Sequence, residues 1–318
     1  NMSKITLSPA KALEPSVQNT SLRIAITEEL DYETDYTLRI AAGALLDKST
    51  SGENVEYTIH FRTKDKPYTP PTDPTTTLVM PNAMPAAQRI YDYLWESYGE
   101  KCLSGAMAKV AWNIDEAQWV YNNTGKWPAM ATFDYIHLDY SPTNWIDYTN
   151  TAVAEDWWEA GGIVSASWHW NVPVSEGSST HAFYTDNNSF SVKRALREGT
   201  WENEVMKADL AEMADMLLLL QDKGIPVVWR PLHEAAGNIY EPWHGTAWFW
   251  WGNDGAEAYR ELWLTMFDYF VERGINNLIW VWTTQLNDME FYPGDEYVDM
   301  VSRDIYNVTN ASDYPNQW

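Results

Sequence analysis

Several things are nearly absent from this sequence of 318 residues, and each absence excludes something. Cys102 is the only cysteine, so neither an intrachain disulfide nor a thiolate cluster for zinc can form. No apolar run reaches the roughly 17–25 residues that span a bilayer. No secretory pattern opens the chain as written. Basic residues are scarce: 21 Lys and Arg stand against 45 Asp and Glu, a net charge of −24. That charge repels phosphate backbones and anionic membrane surfaces and argues against a nucleic-acid partner. No Gly-x-Gly-x-x-Gly or phosphate-loop stretch follows a strand, and no His-Glu-x-x-His or paired-Asp loop occurs, so no cofactor and no metal are expected. Tryptophan is absent from the first 94 residues, yet 19 follow from Trp95 onward. So sharp a shift marks a domain change, in keeping with the two domains that the length suggests. So many indoles serve either a large core or a surface that stacks on uncharged sugar rings.

Residues 1–66 read as all-β. Ser21–Ile26, Tyr36–Ala41 and Val55–Arg62 alternate with a period of two. Leu30 to Leu38 and the closing Phe61-Arg62-Thr63 resemble a bacterial immunoglobulin-like sandwich, which implies a spacer or docking module. Residues 67–76 hold Pro67, Pro70, Pro71 and Pro74. Prolines lack the backbone donor a sheet requires, so this stretch reads as an extended linker.

Residues 77–318 alternate helices with short apolar strands. Three joints repeat one grammar: a helix end, a glycine (Gly161, Gly224 or Gly274) and a β-branched strand. Glu204–Lys223 and Ala256–Arg273 carry apolar residues at three- and four-residue spacing, as core-facing helices do. Strands are expected at about 103–110, 128–135, 162–169, 225–233, 277–284 and 297–306. A doubly wound sheet and a (β/α)8 barrel both fit. The strand ends favour the barrel, since Trp168-His169-Trp170, Arg230-Pro231-Leu232-His233-Glu234 and Trp282-Thr283 gather polar and aromatic groups where a barrel mouth would lie.

Glu234 is the leading candidate. A carboxyl at the end of an apolar strand, beside His233 and near Trp248, can be kept protonated by desolvation and give a proton to a leaving group. Cleavage of a glycosidic bond needs such a donor and a second carboxylate. Alternatively Glu234 caps the following helix or pairs with Arg230.

Val228 to Gly237, followed by Trp248-Phe249-Trp250-Trp251-Gly252, resembles the signature of family 26 glycoside hydrolases, whose best-known members are β-mannanases. The resemblance covers residues 77–318 and includes Leu278 to Trp282, Tyr292 to Asp299 and Asp304-Ile305-Tyr306. It implies a (β/α)8 barrel and a retaining mechanism. It implies that Glu234 is the general acid/base, that His233 contacts substrate and the catalytic carboxylates, and that Trp248 forms an aromatic wall. Tyr306 would position the nucleophile with Asp304 beside it, and His169 would line the glycone side. Arg230, Trp168, Trp170 and Trp282 are grouped with the substrate-binding set, although such indoles serve packing about as often. The insertion Asn238–Ala247, with Tyr240, Trp243 and His244, is either a loop beside the cleft or a surface excursion.

The family's nucleophile is a second Glu after the seventh strand. None of the 12 residues after Tyr306 is Glu, and Glu290 and Glu296 fall before the sixth strand. The expectation is that the polypeptide continues past the sequence as written. Two readings stay open. One is an endo-acting β-1,4-mannanase on mannan, glucomannan or galactomannan, with relatives acting on β-1,3-xylan or mixed-linkage β-glucan as variants. The other is a glycan-binding surface protein without catalysis. A polysaccharide substrate implies export, to the periplasm, cell surface or medium. The spacer, linker and hydrolase order resembles surface lipoproteins of gut bacteria, which implies tethering at the cell surface.

Overall fold

The structure is a computed structural model that describes residues 1–18, 21–32, 34–47, 50–63, 77–109, 112–138, 146–240 and 244–306. The chain divides into two compact units, Asn1–Thr72 and Asp73–Trp318. The proline-rich stretch 67–76, expected as a linker, lies outside the described residues.

The first unit contains β1 (Ile5–Ser8), β2 (Leu13–Gln18), β3 (Ser21–Ile26), β4 (Asp35–Ile40) and β5 (Tyr57–Arg62). β1, β4 and β5 form one antiparallel sheet, and β2 pairs with β3. Its core is small: Ile5, Leu7 and Tyr36 are buried, and Tyr36 stacks on Phe61 at 5.6 Å. Strands β3 to β5 lie where alternation placed them. β2 was not anticipated, because Glu14, Pro15 and Ser16 interrupt the pattern. Pro15 is tolerated because, among the described residues, β2 has a partner on one side alone.

The second unit runs α1 (Pro85–Ser97), β6 (Gly105–Met107), α2 (Asp115–Thr124), β7 (Met130–Asp134), α3 (Ala152–Glu159) and β8 (Ile163–Ser167). A small hairpin, β9 (Val172–Pro173) with β10 (His181–Ala182), then leads to α4 (Val192–Ala195), α5 (Trp201–Asp222) and β11 (Val227–Arg230). α6 (Trp250–Asn253), α7 (Ala256–Glu272), β12 (Leu278–Thr284) and β13 (Met300–Arg303) follow. Six strands form one sheet in the order β6-β7-β8-β11-β12-β13, all parallel. Sequential parallel strands with intervening helices follow the winding of a (β/α)8 barrel. Among the described residues the sheet is a half-barrel of six strands, open at β6 and β13, in line with the six strands read from the sequence. Each strand is shorter than its expected range, because the apolar runs continue into the loops that build the site.

The two faces of the sheet bury different clusters. Val164, Ala166, Val227, Trp229, Leu278, Trp280 and Trp282 pack against Leu210 and Leu217 of α5 and Leu262 and Phe270 of α7. Ile163, Val228, Ile279 and Val281 pack on the other face with Ala87 and Tyr91 of α1. Burial on both faces is what parallel strands require. Gly161, Gly224 and Gly274 adopt φ of 88°, 71° and 79°, the left-handed caps read from the sequence. α5 starts three residues earlier than its periodicity indicates, because the Thr200 hydroxyl accepts from the Asn203 N–H. No helix among the described residues is long and apolar enough to cross a membrane.

Asp299 fastens the start of this unit to the sheet. Its two carboxylate oxygens accept the N–H of Val79 at 2.8 Å and of Trp280 at 2.7 Å. Asp299→Ala strands both donors, and each buried unsatisfied group costs about 1–3 kcal/mol. The expected result is a loss of about 2–4 kcal/mol in urea unfolding followed by tryptophan fluorescence.

Candidate active site

The candidates converge at the C-terminal ends of the parallel strands. Glu234 follows β11, His169 follows β8, and Asp304 and Tyr306 follow β13. Leu232 and Glu234 have φ of +47° and +51°. Non-glycine residues in that region cost about 1–3 kcal/mol each and persist where surrounding contacts over-determine them. Here each carbonyl of the turn is taken. Tyr259 Oη donates to Leu232 O at 3.1 Å, Trp251 Nε1 to His233 O at 2.9 Å, and Gly237 N–H to Glu234 O at 2.9 Å. Tyr259 and Trp251 are fully buried. Trp250 Nε1 donates to Trp170 O at 2.7 Å. The Trp-rich motif after the insertion is thus the frame of the Glu234 turn.

The Glu234 side chain is 4% exposed. Its Oε1 accepts the Tyr306 hydroxyl at 3.2 Å. Burial, then the Asp304 carboxylate beside it, push the Glu234 carboxyl up to about 7, against smaller opposite effects of Tyr306 and Arg230. Such a group can hand over a proton near neutrality. Arg230 does not pair with Glu234 as the sequence allowed. Its guanidinium forks onto Asp304, with Nη1 and Nη2 at 3.1 and 3.0 Å from Oδ2.

His233 is 4% exposed, and burial, Arg230 and His169 together hold its imidazole well below the usual histidine range, so it is neutral. Its Nδ1 has no partner among the described residues. The His169 ring meets it edge-on at 4.6 Å. Trp248 is 38% exposed and lies across Gly237, where a Cβ would stand 2.4 Å from the indole. These residues, with Asp304 and Tyr306, are brought together. Trp168, Trp170 and Trp282 are not: they are 3%, 1% and 2% exposed and belong to the helix-facing core. Of the two uses left open for these three indoles, substrate binding and packing, their burial agrees with packing. Of the insertion, Tyr240 packs near Phe291 and Trp243 lies outside the described residues. Glu290 and Glu296 are exposed. No group of three or more metal-ligating side chains occurs among the described residues.

The sequence model of glycosyl hydrolase family 26 matches residues 79–318. The chain belongs to this family. A mannan endo-1,4-β-mannosidase of Thermothelomyces thermophilus is 39% identical over 241 residues, covering 73% of this chain and 46% of the relative. A Piromyces mannan endo-1,4-β-mannosidase B is 36% identical and is covered over 39% of its length. The family 26 chain therefore spans less than half the length of these curated relatives. Among solved structures, the family 26 domain of an endo-β-mannanase/endo-β-glucanase from Prevotella bryantii matches with a TM-score of 0.67 at 43% identity, over 71% of this chain and 74% of that one. A β-mannanase from a symbiotic protist of the termite Reticulitermes speratus, complexed with gluco-manno-oligosaccharide, matches with a TM-score of 0.66 at 35% identity, over 76% of each chain.

Several residues in and behind this family 26 site escaped sequence reasoning. Asp134, the last residue of β7, bonds to His169 through both oxygens. Asp209 of α5 is buried and accepts Trp170 Nε1, and burial pushes its carboxyl well above the carboxylate range. Tyr184, 53% exposed, stacks on Phe249, which stacks in turn on Trp251. Their partners lie 35 to 65 positions away in sequence, beyond the reach of local pattern. For Asp134 a signal was present: an acid ending an apolar strand, as with Glu234.

Proposed function

We propose that this chain carries the acid/base half of an endo-acting, retaining β-1,4-mannan hydrolase. One observation carries the reading: Glu234 is buried on a strained turn at a strand end, with a carboxyl poised near neutrality and bonded to Tyr306. Glu234 protonates the leaving glycosidic oxygen, a second carboxylate attacks the anomeric carbon, and Glu234 then takes a proton from the water that releases the sugar. That second carboxylate is not among the described residues. Asp304 is unsuited to the part, since both arms of Arg230 hold it as an ion pair. The names of the relatives support mannan as the substrate class. The test is reducing-sugar release by the full-length native polypeptide from linear mannan, galactomannan, β-1,3-xylan and mixed-linkage β-glucan. Release from the first two alone is expected, and release from neither would overturn the reading.

The remaining expectations form part of the same proposal. The first unit is an immunoglobulin-like spacer, and the protein acts outside the cytoplasm, where polymeric mannan occurs, tethered at the cell surface. Fractionation of the native host tests the location. At the site, Asp304 raises the Glu234 carboxyl and Arg230 lowers it. Asp304→Asn removes the raising charge and frees the lowering one. The alkaline limb of kcat/KM is then expected to move to lower pH by about one unit, the size of one lost neighbouring charge, as read from a pH–rate profile.

A further inference from the structure

Asp134 stands behind His169 in an arrangement that the reaction scheme does not use. Its Oδ1 accepts the His169 backbone N–H at 3.0 Å, and its Oδ2 is bonded to His169 Nδ1. Asp134 is 8% exposed and sits at the end of β7, in register with Ser167 of β8, two residues before His169. The Tyr135 N–H, bonded to Ser167 O at 3.0 Å, extends this pairing to the loop. The acid is therefore fixed by the sheet, and it holds both the backbone and the ring of His169. Phe183 at 4.9 Å, His233 at 4.6 Å and Phe249 at 6.0 Å enclose the rest of the imidazole.

A carboxylate accepts and does not donate, so an imidazole nitrogen bonded to it must carry hydrogen. The other nitrogen then becomes the one offered to a ligand. We propose that Asp134 is a positioning residue that locks His169 with Nδ1 protonated and Nε2 presented to the sugar, beside His233. Aromatic contacts restrain the plane of the ring but do not distinguish its two nitrogens. Asp134 does. Two histidines in edge contact, one orphaned at Nδ1 and one tied at Nδ1, then make unlike offers to a substrate hydroxyl. This inference rests on the proposed hydrolase reading.

The test is a double-mutant cycle with a spectroscopic readout. Asp134→Asn keeps the shape and an acceptor for the backbone N–H, so the fold is expected to survive. An orienting carboxylate behind a ligand histidine is commonly worth 10–100-fold, and a loss of that size in kcat/KM on mannan is expected. In the His169→Ala background the same substitution is expected to have no further effect. Asp134→Glu is expected to restore part of the loss. In long-range 15N–1H spectra, His169 of the wild type should show a protonated Nδ1 and lose that signature in Asp134→Asn. Equal losses with and without His169, or an unchanged His169 signature, would overturn the proposal. If the wild type cleaves no glycan, the hydrolase reading has failed, and the spectra alone decide whether Asp134 sets the tautomer.

Discussion

Glu234→Gln is expected to lower kcat/KM on mannan by 10²–10⁴-fold, the usual contribution of a positioned general acid, or about 3–5 kcal/mol of barrier. The substitution is nearly isosteric. Its amide oxygen still accepts from Tyr306, and its NH2 can donate to Asp304, so substrate affinity should hold while turnover fails. The pH profile gives a second reading. A general acid works in its protonated form, so wild-type kcat/KM should fall as pH rises through about 7, where the Glu234 carboxyl is held.

Stability should move the opposite way. The folded-state value of Glu234 is raised above its ordinary 4.5 to about 7. Between those two values the folded protein binds more protons than the unfolded chain, so the stability linked to this group is full below about 4.5 and lost as pH rises through 7. Gln has no such proton to lose. The variant should gain on the wild type across that window and keep a margin on the order of 2–3 kcal/mol above pH 7. Thermal scans from pH 4 to 9 check this, and parallel Tm curves for the two proteins would sink it. A site that is less stable for holding its acid buried is one shaped for proton transfer.

Much of this was legible in the sequence, and what was not has a common cause. Six strands in order, with glycine caps between, could be read because helix periodicity and left-handed glycines are local signals. Glu234, His233 and Tyr306 could be read because a specific motif carried them. The burial of Trp168, Trp170 and Trp282, left open by composition, follows from the strand period. Val164, Ala166, Trp168 and Trp170 share the helix-facing side, and His169 between them takes the other. The same alternation puts Trp280 and Trp282 with Leu278 in the core. Composition indicated a use for indoles on sugar; parity assigns these three to packing. Asp209 could not be read at all, and Asp134 offered only its place at the end of an apolar strand. Each is one acid whose meaning lies in a single partner brought near by the sheet or by helix packing.

The frame of the acid turn also sets a limit on what the motif tolerates. Gly252 lies in α6, directly against the turn, and a Cβ there would sit 1.8 Å from Ala235 O and 2.7 Å from Ala235 C. Those are backbone atoms, so no side chain can swing aside. Either α6 moves or the turn does, and Trp251, the preceding residue, is bonded to His233 O. Gly252→Ala is therefore expected to cost about 3 kcal/mol or more, at the upper end of overpacking. The corresponding fall in Tm is roughly 6–12 °C for a unit of this size. Gly255 is the control. It has φ of +91° and ψ of 175° but open space around its Cβ position, so Gly255→Ala carries the backbone penalty alone, about 1–3 kcal/mol. If packing against Ala235 is what fixes the acid, Gly252→Ala loses both Tm and kcat, whereas Gly255→Ala loses Tm with kcat retained. An equal loss of kcat in the two variants would separate the glycine from the geometry of Glu234. The expected divergence instead ties the specificity of the Trp-Trp-Gly motif to a physical cause: a buried indole holds the turn by its carbonyl, and the glycine lets the helix come close enough to do so.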